Sequence, residues 1–132
     1  MADPRDLFDL TGRVACVTGA SSGLGRRAAL VLARAGASVV GIARREDQLK
    51  DWADEVGERA AYLTADLAAR DGIADLAAEA AEPFGAPDIV VHAAGINTRE
   101  PADEVTAEGW DITLALNLSV PFFGCSQLRH AL

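Results

Sequence analysis

The chain has 132 residues, of which 50% are apolar and 24% charged, and its formal net charge is −8. This length suits one domain with a buried core, and the composition is that of a globular protein rather than a disordered one. The acidic balance argues against nucleic-acid binding, which needs a basic surface. No apolar run reaches the ~18 residues of a membrane span, and the N-terminal segment lacks the apolar core of a signal peptide. We therefore expect no nucleic acid and no membrane as partners, and a cytoplasmic location.

Strand-like apolar runs alternate with helix-like segments along the chain. The predicted elements, in chain order, are a strand over 13–18, a helix over 24–36, a strand over 37–43, a helix over 46–56, a strand over 60–65, a helix over 69–85, a strand over 88–94 and a helix over 106–132. Strands that are apolar throughout are typical of a parallel sheet covered by helices on both faces. The order therefore predicts an α/β fold, a Rossmann-type doubly wound sheet of four βα units.

The two cysteines, Cys16 and Cys125, lie far apart, each in an apolar run. This spacing favours two buried free thiols and indicates neither a disulfide nor a metal site.

A glycine-rich segment, "TGASSGLG" at 18–25, follows the first strand. Its glycines have the spacing G-x-x-x-G-x-G and are Gly19, Gly23 and Gly25. An NTPase phosphate loop is excluded, because no Lys followed by Ser or Thr comes after the last glycine. A bare tight turn is the alternative. A loop that joins a strand to a helix and opens a βαβ unit favours a pyrophosphate site at the helix start, with Ser21 and Ser22 as hydroxyl donors.

Two arginines, Arg44 and Arg45, follow the second predicted strand. An NAD-binding unit places an acidic residue in this region to accept from the ribose 2′-hydroxyl group. Guanidinium groups instead pair with a 2′-phosphate. Both arginines could be solvated surface residues, but a helix start favours acidic groups, which Glu46 and Asp47 already supply. The pattern therefore favours NADP over NAD as the cofactor.

With these features the sequence resembles the short-chain dehydrogenase/reductase family. Residues 18–25 match the family's T-G-x-x-x-G-x-G cofactor motif at every fixed position, which adds Leu24 to the implied site. Asp66 and Leu67 match the pair that in the family holds the adenine ring. A helix cap is a second interpretation of Asp66, compatible with the first.

The stretch "HAAG", at 92–95, stands where the family has N-N-A-G. Ala94 and Gly95 match and are implied cofactor residues. His92 and Ala93 replace the two asparagines, and we assign His92 a structural role rather than a catalytic one.

Asn117 aligns with the family's catalytic asparagine, whose backbone carbonyl helps to position a water beside the catalytic lysine. Pro121 lies four residues later and has no N–H group, so inside a helix it could not bond to the Asn117 carbonyl. A free acceptor would then remain where the family requires one. A kink, or a break between two short helices, is the alternative.

The family's catalytic Ser and Tyr-x-x-x-Lys have no counterpart here, since the only tyrosine is Tyr62 and the only lysine is Lys50. The resemblance implies that residues 1–132 are the NAD(P)-binding part of an oxidoreductase, with an incomplete sheet in the order 3-2-1-4 and no activity on their own. The complete enzyme would transfer hydride between nicotinamide and a small alcohol or carbonyl substrate, as a homo-oligomer. Two alternatives are a non-catalytic dinucleotide-binding module and another Rossmann protein such as a methyltransferase. A methyltransferase is expected to have an acidic residue in place of Arg44 at the end of the second strand.

Overall fold

A computed structural model describes residues 3–68, 72–96 and 98–130. Within them, the strands are β1 (Val14–Thr18), β2 (Ser38–Ala43), β3 (Ala60–Thr64) and β4 (Ile89–His92). The α-helices are α1 (Gly23–Arg34), α2 (Glu46–Val56), α3 (Ile73–Ala81), α4 (Ala107–Leu114) and α5 (Val120–His130). A 3-10 helix over Pro4–Phe8 precedes β1, and a π-helical turn over Ala115–Ser119 joins α4 to α5. No helix among the described residues is long and apolar enough to cross a bilayer.

The strands form one parallel sheet in the order β3-β2-β1-β4, which confirms the predicted fold class. Thr18 at the end of β1 is in register with Ile42 on one side and His92 on the other, so three strands end at the same edge. The chain order reverses between β1 and β4. In open parallel sheets of this kind, ligands bind outside the carboxyl ends of the strands at such a reversal.

Two apolar clusters cover the two faces of the sheet. Because side chains alternate along a strand, Ala15 and Val17 pack against α1 and α2, whereas Cys16 and Val40 pack toward α3 and α5. Trp52 of α2 has no exposed surface and fills the first cluster. This two-sided burial explains why the strand sequences are apolar throughout.

Two predicted helices differ from the observed ones. The third, predicted over 69–85, ends at Ala81, two residues before Pro83, which has no N–H group to continue the helical hydrogen bonds. Residues 69–71 lie outside the described part of the chain. The last, predicted as one helix over 106–132, is interrupted by the π-helical turn over Ala115–Ser119, and residues 131–132 are outside the description.

The prediction of two buried thiols is correct for Cys16 but wrong for Cys125. Cys16 is 2% exposed, whereas Cys125 lies at the surface of α5. The buried residues of this helix, Val120, Gly124 and Leu128, are four positions apart, and Cys125 falls beside that face. Apolar neighbours in the sequence therefore did not determine its burial.

Gly41, in the middle of β2, has no room for a side chain. A Cβ atom there would lie 2.9 Å from Trp52 Cζ3 and 3.0 Å from Ala20 Cβ, and both of these residues are fully buried. We expect Gly41→Ala to lower the free energy of unfolding by about 1–3 kcal/mol, since a packed core accommodates an added methyl poorly. Urea denaturation followed by circular dichroism measures the change.

The control is Gly72→Ala, the same chemical change at a position with nothing within 4 Å. We expect it to alter the free energy of unfolding by no more than about 1 kcal/mol. Equal destabilisation by the two substitutions would contradict the packing argument.

Candidate nucleotide-binding site

A cavity of about 370 Å³ opens at the carboxyl edge of the sheet, where β1, β2, β3 and β4 end. Every residue predicted to bind the cofactor lines it: Gly19, Ser21, Ser22, Gly23, Leu24, Gly25, Arg44, Arg45, Asp66, Leu67, Ala94 and Gly95. The cavity is also lined by residues that the sequence did not single out, namely Ala43, Ala65, Ala93 and Leu116. They are small or apolar and carry no chemical signal of their own. Three of them directly adjoin predicted cofactor-binding residues in the sequence, and Leu116 adjoins Asn117.

The glycine loop is held by close backbone contacts. A Cβ atom on Gly19 would lie 2.7 Å from the Ala94 nitrogen and 2.8 Å from the Ala93 carbonyl carbon, and Gly19 also has a φ of +70°. A Cβ atom on Gly25 would lie 2.6 Å from the Gly19 carbonyl carbon. Only glycine fits these two positions, so the end of β1, the start of α1 and the segment after β4 pack backbone to backbone.

The first turn of α1 has no carboxylate. Ser22 is the N-cap residue, but its hydroxyl does not cap the helix and instead accepts from Arg45 Nη2 at 2.9 Å. No acidic residue lies in this turn either. Helix N-termini carry unpaired N–H groups and partial positive charge, so this end of the cavity can accept an anion such as pyrophosphate.

The side of the cavity at the end of β2 is basic. Arg44 and Arg45 line it, whereas Glu46 and Asp47, which begin α2, do not. Glu46 Oε1 instead lies 3.5 Å from the Tyr62 hydroxyl, which donates to it. The carboxylates at the start of α2 are therefore not part of the lining beside Arg44 and Arg45, and the acidic residue that lines the cavity is Asp66, beyond β3.

Asp66 and Leu67 form the side of the cavity beyond β3. Asp66 Oδ1 accepts from the Ala68 N–H at 3.0 Å, and Leu67 is buried in the cluster beneath. Asp66 does not cap α3, because that helix begins at Ile73 with Gly72 as its N-cap. The predicted start of that helix, at residue 69, lies outside the described residues, so the cap interpretation is excluded for α3 alone. The position of Asp66 in the cavity is compatible with contact to a nucleotide.

Asn117 does not line the cavity; its neighbour Leu116 does. Its side chain bonds twice to the loop after β4: Nδ2 donates to the Ile96 carbonyl at 2.7 Å, and Oδ1 accepts from the Ile96 N–H at 3.0 Å. This pair fixes the loop that carries Gly95, where a Cβ atom would lie 2.8 Å from Asn117 Oδ1. The amide group is therefore a structural clamp, and a catalytic role of the Asn117 backbone carbonyl stays a prediction.

The predicted kink or break near Pro121 takes the form of a π-helical turn. The Val120 N–H bonds to the Ala115 carbonyl five residues earlier, and the helix then continues through Pro121. A π-turn accommodates a residue that lacks the N–H of the ordinary i to i−4 bond, and such turns are frequent at functional sites.

A family model described as short chain dehydrogenase matches residues 13–132, most of the sequence. The chain belongs to the short-chain dehydrogenase family. Among curated proteins, the 2-dehydro-3-deoxy-D-gluconate 5-dehydrogenase of Escherichia coli K12 is 43% identical over 117 residues, which cover 88% of this chain and 46% of that protein. The chain spans about half the length of the curated relatives it matches.

Solved short-chain dehydrogenase structures match both the fold and the family. A short-chain dehydrogenase/reductase described as glucose/ribitol dehydrogenase, from Brucella melitensis, has a TM-score of 0.88 and 32% identity and covers 95% of this chain and 54% of its own. A metagenomic short-chain oxidoreductase in complex with NADP has a TM-score of 0.85 and 33% identity, with coverage of 92% and 57%.

We expect Gly25→Ala to reduce the affinity for a nicotinamide dinucleotide by at least about tenfold, because the new methyl would displace the Gly19 carbonyl and open the loop. Isothermal titration calorimetry, with the dinucleotide added to the variant and to the unsubstituted chain, measures the two affinities. Circular dichroism checks that the variant is folded.

Gly12→Ala is the matched control. Gly12 has a φ of +83°, so the substitution strains the backbone, but it has nothing within 4 Å and does not line the cavity. We expect its affinity to be unchanged. A folded Gly25→Ala chain that binds as tightly as this control would contradict the site.

Proposed function

We propose that residues 1–132 bind NADP as the cofactor-binding part of a short-chain dehydrogenase. The observation that carries this proposal is the pair Arg44 and Arg45 beside the cavity at the end of β2, where Glu46 and Asp47 do not reach the lining. A guanidinium group forms charge-assisted hydrogen bonds with a 2′-phosphate, whereas the ribose 2′-hydroxyl group of NAD calls for a carboxylate at this end. The NADP bound in one structural relative supports this assignment.

The other contacts follow from the arrangement of the cavity. The pyrophosphate would be held by the N-terminal turn of α1, with Ser21 and Ser22 beside it, and the adenine by Asp66 and Leu67. Ala94 and Gly95 would border the cofactor on the side of β4. When bound, NADP supplies the site that accepts or donates hydride; the described residues bind and orient it.

The complete protein would act on a small alcohol or carbonyl compound. The E. coli relative is a dehydrogenase named for a sugar acid, which favours a polar, hydroxylated substrate. We infer that the complete enzyme assembles as a homo-oligomer, as the family resemblance implies.

The second candidate is a non-catalytic nucleotide-binding module. One observation favours it for the 132 residues taken by themselves. Tyr62 lies in β3 and Lys50 in α2, and neither lines the cavity. They cannot act as the tyrosine and lysine of the family's Tyr-x-x-x-Lys motif, so the 132 residues hold no side chain in that proton-donating role.

We expect the chain to bind NADP more tightly than NAD, and Arg44→Ala to lower the NADP affinity by about 10- to 100-fold, the worth of one charge-assisted hydrogen bond. The affinity for NAD should change by less than about threefold, because NAD has no 2′-phosphate. Isothermal titration with both nucleotides measures the ratio.

Arg27→Ala serves as the control for loss of a positive charge, because Arg27 is exposed on α1 and does not line the cavity. The ratio of its NADP affinity to its NAD affinity should equal that of the unsubstituted chain. The assignment fails if this affinity ratio is no lower in Arg44→Ala than in Arg27→Ala. It also fails if the unsubstituted chain binds NAD as tightly as NADP.

We expect the purified 132-residue chain to bind NADPH without oxidising it in the presence of carbonyl substrates, because the family's proton donor is missing. Absorbance at the nicotinamide band measures turnover, and titration on the same preparation establishes binding. Turnover that scales with protein concentration and is lost in Gly25→Ala would overturn the account of the missing acid.

A further inference from the structure

A thiol and an imidazole lie in contact next to the nucleotide cavity, and neither side chain belongs to its lining. Cys125 Sγ on α5 lies 3.2 Å from Nε2 of His92, the last residue of β4. Cys125 is exposed and in no disulfide. We propose that Cys125 is a site of covalent modification by small carbon electrophiles, with His92 as the residue that activates its thiol. This role does not depend on nucleotide binding.

The His92 ring is held by its surroundings. A Cβ atom on Gly124 would lie 3.1 Å from His92 Cε1, so a glycine at this position lets the ring approach α5. The ring also borders a small apolar cavity of about 30 Å³, which Gly124, Cys16 and Val120 line with it. Nδ1 is buried and has no hydrogen-bond partner among the described residues. Among the described residues, the hydrogen-bonding contact of the ring is the one that Nε2 makes with the Cys125 thiol.

Burial lowers the pKa of His92 below its ordinary value and so favours the neutral imidazole. A neutral imidazole at this distance assists the thiol in either tautomer. An unprotonated Nε2 can accept the thiol proton as the sulfur attacks, and a protonated Nε2 donates a hydrogen bond to the sulfur. In both arrangements His92 is placed to assist Cys125 as a nucleophile.

The reaction with a carbon electrophile can be written for iodoacetamide. A bond forms between Sγ and the methylene carbon as the carbon–iodine bond breaks, and iodide leaves with the bonding electrons. The thiol proton passes to His92 Nε2 or, if that nitrogen is already protonated, to water. No oxidant or reductant is needed.

Cys16 provides an internal comparison. It is 2% exposed, and burial raises the pKa of its thiol to about 11. Trypsin separates the two thiols, with Cys16 in the peptide 14–26 and Cys125 in the peptide 100–129. Their rates can therefore be read from one preparation of the 132-residue chain by mass spectrometry.

The first measurement uses iodoacetamide at pH 7 on the folded chain and on the chain unfolded in urea. We expect folded Cys125 to be alkylated at least about tenfold faster than folded Cys16, and faster than the same thiol in the unfolded chain. A folded Cys125 that reacts no faster than its unfolded counterpart would overturn the proposal without any variant.

The second measurement uses His92→Asn, which places at this position the residue of the family motif N-N-A-G. We expect Cys125 alkylation to slow by about threefold or more, since asparagine can neither accept the proton at neutral pH nor supply an imidazole N–H. Slow labelling of Cys16 verifies that the variant is folded. An unchanged Cys125 rate in a folded variant would contradict the role of His92.

Discussion

At Gly19, three segments of the chain meet through their backbones. The loop after β1 contacts the segment that follows β4, and Gly25 at the start of α1 lies against the Gly19 carbonyl. These contacts place the first turn of α1 over the carboxyl edge of the sheet, where the chain order reverses. A side chain at either glycine would separate the segments. The depth of the cavity and the orientation of the helix N-terminus therefore depend on the absence of a Cβ atom at both positions.

The cavity has positive groups at two of its ends, although the chain as a whole is negatively charged. A protein with a net charge of −8 repels a polyanion such as NADP at long range, and binding then depends on local positive groups. The first turn of α1 has no acidic residue, and Arg44 and Arg45 lie where the cavity meets the end of β2. The hydrogen bond from Arg45 to Ser22 links the two positive regions, and the serine hydroxyl makes no capping bond to α1. A phosphate-bearing ligand fits both ends of this surface.

The sequence was sufficient to predict the sheet and the loops that border the cavity, because apolar strand runs and glycine spacing are local patterns with direct structural meaning. It was insufficient where a feature depends on how elements pack. The exposure of Cys125 depends on which face of α5 meets the sheet, and the clamp between Asn117 and Ile96 joins residues 21 positions apart. Pro121 indicated that the last helix would be irregular near this residue. It did not indicate a π-helical turn, because a kink or a break would also have accommodated the missing N–H group.

The claim that most of the account depends on is that the glycine loop and the adjacent strand ends hold NADP. Amide chemical shifts of the ¹⁵N-labelled 132-residue chain, recorded while NADP is added, test it most directly. We expect saturable shifts that cluster at Gly19–Gly25 and at Arg44, Arg45, Asp66 and Gly95. An absence of saturable shifts, or shifts confined to residues away from these loops, would contradict it.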